Sequence, residues 1–127
     1  MTSLREIYFC SICKNLVEIV NTGAGELTCC QQPMNLLKAN SHEAATEKHI
    51  PVLEDNGDHV VVTVGSIPHP MTEEHYIVFI ELLTYKKVYR KELKPGDKPS
   101  ACFPVQKEDI LEVREFCNLH MLWADGR

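Results

Sequence analysis

Four of the six cysteines stand between positions 10 and 30, as Cys10-Ser11-Ile12-Cys13 and the adjacent pair Cys29-Cys30. A Cys-x2-Cys pair lets two thiolates reach one ion, and a second pair across a loop completes a tetrahedral set of four sulfurs. Adjacent cysteines can share that ion only if the backbone bends between them, so a distorted tetrahedron is expected. Ligand rules leave zinc and iron equally open here. Few large apolar residues accompany the cysteines, so residues 1–37 read as a small module nucleated by metal rather than by a core. Within it, Asn21 to Gly25 is a turn between two short candidate strands.

Beyond Lys38 the pattern changes. A polar connector runs to about Thr46, with a brief helical turn expected at Ala44-Ala45, and then short candidate strands follow one another between turn residues. Asn56-Gly57 is a strong hairpin signal and predicts that Ile50 to Leu53 pairs with Val60 to Val64. Tyr76 to Leu83 is apolar on both faces except at Glu81, which suits a central strand, whereas Tyr85 to Leu93 mixes charged and apolar residues like an exposed one. Lys94-Pro95-Gly96-Asp97 makes a turn. Strands around Ala101 to Val105, Leu111 to Phe116 and Met121 to Trp123 bring the total to six or seven, and a mainly β fold with a small antiparallel sandwich over residues 38–127 is expected.

Charge narrows the functions available. Arg5, Lys14 and Lys38 balance Glu6, Glu18 and Glu26, so the net charge of −5 lies entirely beyond residue 40. An acidic chain without basic stripes does not bind nucleic acid or an anionic membrane surface. No apolar run approaches the length of a membrane span, and Arg5 and Glu6 interrupt the start where a secretory signal would be apolar. The expected location is the cytoplasm, where thiols stay reduced and serve as metal ligands rather than disulfides.

The histidines supply a second constellation: Glu47-Lys48-His49-Ile50-Pro51, His69-Pro70-Met71, Glu74-His75-Tyr76 and Cys117-Asn118-Leu119-His120. Each histidine alone is compatible with an ordinary hydrogen-bonded residue. Four of them at strand boundaries, with a thiol, select iron, copper or zinc over magnesium or calcium. Five ligands exceed the four of a structural zinc and favour iron with one open position.

Taken together, the Cys-x2-Cys and Cys-Cys module, Glu-Lys-His-Ile-Pro, His-Pro-Met-x3-His-Tyr and Cys-Asn-Leu-His resemble the desulfoferrodoxin family, the two-iron superoxide reductases, over nearly the whole chain. The resemblance implies a desulforedoxin-like domain at 1–37 with iron held by Cys10, Cys13, Cys29 and Cys30. It further implies an immunoglobulin-like sandwich at 38–127 with a catalytic iron held by His49, His69, His75 and His120 in the equator and Cys117 on the axis. Glu47 and Lys48 would flank the open sixth position. The implied activity is one-electron reduction of superoxide to hydrogen peroxide, with electrons from a rubredoxin-like donor and a homodimeric assembly. Two other readings compete: a zinc-stabilised binding module, and an electron carrier using only the cysteine site. Cys102, His42 and His59 fall outside the pattern, and Cys102 is expected to be a small buried residue in a strand.

Overall fold

The computed structural model describes residues 1–41 and 48–126. The helical turn expected at Ala44-Ala45, together with His42 and Glu47, lies outside these residues. The chain divides into two compact units, Met1–Lys38 and Ala39–Arg127.

The first unit holds β1 (Ile7–Phe9), β2 (Leu16–Glu18), β3 (Thr28–Cys29), β4 (Gln32–Pro33) and β5 (Asn35–Leu37). β1 lies between β2 and β5, antiparallel to both, and β3 pairs with β4 as a separate hairpin. Only Ile7, Phe9, Cys10 and Ile19 are buried among its hydrophobic residues, while Val17 and Leu36 remain exposed. So little apolar burial leaves the cysteine cluster as the natural brace of this unit.

The second unit is built from β6 (Pro51–Asp55), β7 (Val60–Val64), β8 (Ile77–Thr84), β9 (Val88–Glu92), β10 (Ser100–Phe103), β11 (Ile110–Cys117) and β12 (Met121–Ala124), with a 3-10 turn at Lys107–Asp109. Its sheets run β10-β7-β6 and β12-β11-β8-β9, with every neighbouring pair antiparallel. This is an immunoglobulin-like sandwich in which β9 extends the sheet of β8 and β11. The β6–β7 hairpin forms as expected but runs longer, from Pro51↔Val64 to Asp55↔Val60. Gly57 sits in its turn at φ +90°, where a glycine is favoured, and its N–H bonds the Asp55 carboxylate at 2.9 Å.

The core lies between the sheets. Val60, Val62 and Val64 of β7 are fully buried and meet Ile77, Ile80 and Leu82 of β8, Val113 and Cys117 of β11, and Phe103 of β10. Each such aliphatic side chain contributes about 1.5–3 kcal/mol by leaving water. The polar break in β8 is answered across the sheet: Arg114 of β11 and Arg90 of β9 both stand directly opposite Glu81. Arg114 Nε donates to Glu81 Oε1 at 2.8 Å and Arg90 Nε to Oε2 at 2.7 Å, and the carboxylate is wholly buried. Cys102 departs from expectation. It is exposed on β10 opposite Val61, because the inward positions of that strand go to Ala101 and Phe103.

Candidate metal centres

Cys10 directly follows β1, and the chain then folds back through a tight knuckle. Lys14 N–H donates to Cys10 O, Cys10 N–H donates to Asn15 O, and Lys14 adopts a left-handed φ of 69°. This brings Cys13 beside Cys10. The bend required by the adjacent cysteines is equally local: β3 and β4 pair through Cys29↔Gln32, so Cys30-Gln31 is a two-residue turn with φ of 53° and 63°. Two positive φ angles define the primed turn that suits a hairpin, a geometry normally filled by Asn-Gly. Here a thiol occupies it, which lets Cys29 and Cys30 face the same point.

The four sulfurs lie within 4.8 Å of one another, and Cys13 Sγ and Cys29 Sγ are 3.4 Å apart. Their protons are strongly interdependent. The Cys13 backbone N–H lowers the Cys10 thiol to about 6, whereas bonding to the Cys13 and Cys10 sulfurs pushes Cys30 up to about 12. One thiolate forms readily and its charge opposes the next, an arrangement that a cation in the centre resolves.

The second constellation gathers from three separated stretches. His49 precedes β6, His69 and His75 lie between β7 and β8, and Cys117 ends β11. Ligand atoms of these four residues lie within 4.8 Å of one another. His120 stands at the rim of this group, exposed, with Nδ1 3.0 Å from His49 Nε2 and 3.8 Å from Cys117 Sγ. Trp123 steadies two of the imidazoles: its ring stacks on His49 at 4.7 Å, and its Nε1–H donates to His120 O at 2.9 Å.

Protonation states follow from burial. His69 Nδ1 bonds the Pro70 carbonyl at 2.7 Å, so it carries the proton and Nε2 presents a lone pair. Desolvation lowers the His69 pKa to about 4 and, with the nearby His120 and Lys48 charges, also lowers that of His75. Both rings are therefore neutral ligands near pH 7. Burial pushes the Cys117 thiol up, and the backbone N–H groups of Leu119 and His120 partly offset that. His69 Nε2 and His75 Nε2 are buried without a hydrogen-bond partner among the described residues. An orphaned buried acceptor costs about 1–3 kcal/mol. A metal ion accepts both lone pairs, so the donor set fits one.

Gly65 permits a close backbone approach beside the His49 segment. It adopts φ +82°, and a Cβ there would lie 2.6 Å from Lys48 O and 2.5 Å from Ile67 O. Its N–H donates to Ile50 O at 3.0 Å, which ties the His49 segment to the end of β7. Gly65→Ala is expected to cost about 1–3 kcal/mol in urea denaturation through this strain and to weaken iron retention at the histidine centre. Unchanged stability would contradict that role for Gly65.

A four-sulfur cluster in a small β module and a histidine–thiolate group on an immunoglobulin-like sandwich define a protein with two candidate transition-metal centres. Residues 2–37 match the desulfoferrodoxin N-terminal domain and residues 41–126 the desulfoferrodoxin domain. A desulfoferrodoxin of Syntrophotalea carbinolica is 53% identical over 124 residues, covering 98% of each chain. A superoxide reductase of Thermococcus kodakarensis is 37% identical over 97 residues, 62% of this chain and 84% of that one. Among solved structures, the superoxide reductase from Treponema pallidum superposes with a TM-score of 0.76 at 31% identity, covering 94% of this chain and 95% of that one. The chain belongs to the desulfoferrodoxin family, and its two clusters match that family's two iron sites.

Sequence reasoning singled out neither Gly65 nor Trp123, and gave Asn118 no role beyond the motif that contains it. A glycine after a valine strand carries no signal of its positive φ, and a lone tryptophan reads as core. Glu47 lies outside the described residues.

Proposed function

We propose that this chain is a superoxide reductase whose histidine–cysteine centre delivers one electron to superoxide, which with two protons leaves as hydrogen peroxide. The observation that carries this reading is the pair of buried, unpartnered imidazole nitrogens of His69 and His75 beside Cys117 and His49. His49, His69, His75, His120 and Cys117 would hold the catalytic iron, and Cys10, Cys13, Cys29 and Cys30 the other. Bound iron would supply the reducing electron, with its potential tuned by the Cys117 thiolate.

The remaining work falls to the protein. Neutral imidazoles leave the centre's positive charge largely intact, and Lys48 beside His49 adds to it, so an anion is attracted even to this acidic chain. Lys48 also organises water that brings protons to the departing peroxide, and the family resemblance assigns Glu47, its neighbour in sequence, to the same catalytic set. Lys48→Ala is expected to slow the second-order reaction roughly 10-fold at low salt and to flatten its ionic-strength dependence, with iron retained. Equal low-salt rates in pulse radiolysis would remove the steering role.

Because the electron returns from outside, a rubredoxin-like donor is implied and no dioxygen forms. The chain acts as a homodimer in the cytoplasm, where cysteines stay reduced and available as metal ligands. Among the described residues no helix is long and apolar enough to cross a membrane. Stopped-flow mixing of the reduced protein with superoxide tests the activity. Peroxide formation at one per superoxide consumed, without dioxygen, supports it, and dioxygen release would indicate dismutation instead.

A further inference from the structure

We propose that Asn118 is a positioning residue whose side-chain amide fixes His75 relative to Cys117 and so holds the iron centre together. This rests on the reading that His75 and Cys117 share one metal ion. The ladder between β8 and β11 shifts register after Phe79↔Phe116 and ends at Ile77↔Cys117. Past that pair the chain at Asn118 turns away toward Leu119 and His120, and an apolar side chain there would keep only the backbone bond to Tyr76 O and lose those to Tyr76 N–H and Glu74 O. Asn118 continues the pairing with its own amide. Its Oδ1 accepts the Tyr76 N–H at 2.9 Å and its Nδ2 donates to Glu74 O at 3.0 Å, while its backbone N–H donates to Tyr76 O at 3.2 Å.

These bonds grip the residues on both sides of His75. The His75 backbone itself is closed into a turn by Thr72, through Thr72 N–H to His75 O at 2.9 Å and His75 N–H to Thr72 Oγ1 at 3.2 Å. Thr72 thus sets the shape of the His75 turn, and Asn118 joins that turn to the strand bearing the thiol. The role requires a planar group with one acceptor and one donor, which asparagine supplies at this length. Aspartate keeps the acceptor and loses the donor, and leucine loses both.

The test follows iron release to a chelator from the full-length two-iron protein, reading each centre by its own absorption. Asn118→Leu is expected to release iron from the histidine centre about 10–100-fold faster, the usual consequence of losing an outer partner of a metal ligand. Asn118→Asp should fall between leucine and wild type, and the four-sulfur centre should be unaffected in both. Release at the wild-type rate in both variants, or equal acceleration at the two centres, overturns the proposal. Amide exchange in the metal-free chain tests the clamp independently of the proposed function. Tyr76 should exchange about fivefold faster in Asn118→Leu, and near the wild-type rate in Asn118→Asp. Unchanged exchange at Tyr76 in the leucine variant also overturns it, whereas altered exchange in a protein that binds no iron at the histidines would sink only the reductase reading.

Discussion

Replacing His75 by alanine is expected to reduce superoxide turnover to background while leaving the spectrum of the four-sulfur centre intact. His75 Nε2 is buried and unpartnered, and its ring lies 4.6 Å from that of His69 and 5.1 Å from that of His120. Deleting it removes one donor from the middle of the cluster and opens the space to water, so iron is lost or held too loosely to keep its potential. The cysteine cluster belongs to the other compact unit and shares no ligand with this one. Parallel measurement of activity and of both absorption signatures checks the expectation. Retained activity would place the chemistry elsewhere, and simultaneous loss of both centres would mean that the variant had failed to fold.

The second large effect concerns stability. Glu81→Ala is expected to cost about 3–5 kcal/mol, because it removes the wholly buried carboxylate that pairs with the buried Arg114 guanidinium. Arg114 is only 5% exposed, and both arginines converge on the same carboxylate, itself wholly buried. Arg90 is 37% exposed along its side chain and recovers much of its hydration, so Arg90→Ala should cost far less. Urea denaturation of the two variants measures the contrast. Equal and small losses would show that the triad adds nothing to the folded state.

How much of this was legible beforehand depends on the kind of signal. Val60 to Val64, Asn56-Gly57 and the unbroken apolar run of β8 carry period and turn chemistry, and the seven-strand sandwich follows from them. The three-stranded sheet of the first unit was mostly invisible. β1, β2 and β5 have only three residues each, too short for alternation to register, and the cysteine knuckles lie at the turns between them. Long-range side-chain geometry was likewise out of reach. Nothing in the local sequence tells that Arg90 and Arg114 will flank Glu81, or that Trp123 will lie flat on His49. The ligand residues were visible because metal ligands are few in type, but the atoms that position them are backbone carbonyls and amides, as at Gly65 and Asn118. Cys102 misled because free cysteine is so often buried, and here the strand's alternation puts Ala101 and Phe103 inside instead.

On the proposed reading, four imidazoles and one thiolate from separate stretches of this chain surround one redox-active iron, distinct from the four-sulfur iron. A Mössbauer spectrum of the anaerobically reduced protein, enriched in the iron isotope, tests it most directly. The expected result is two quadrupole doublets of equal area, one from tetrahedral sulfur ligation and one from a high-spin ferrous ion in a nitrogen-rich site, with the second alone lost in His75→Ala. A single doublet from sulfur ligation, with zinc or no metal among the histidines, would contradict the account.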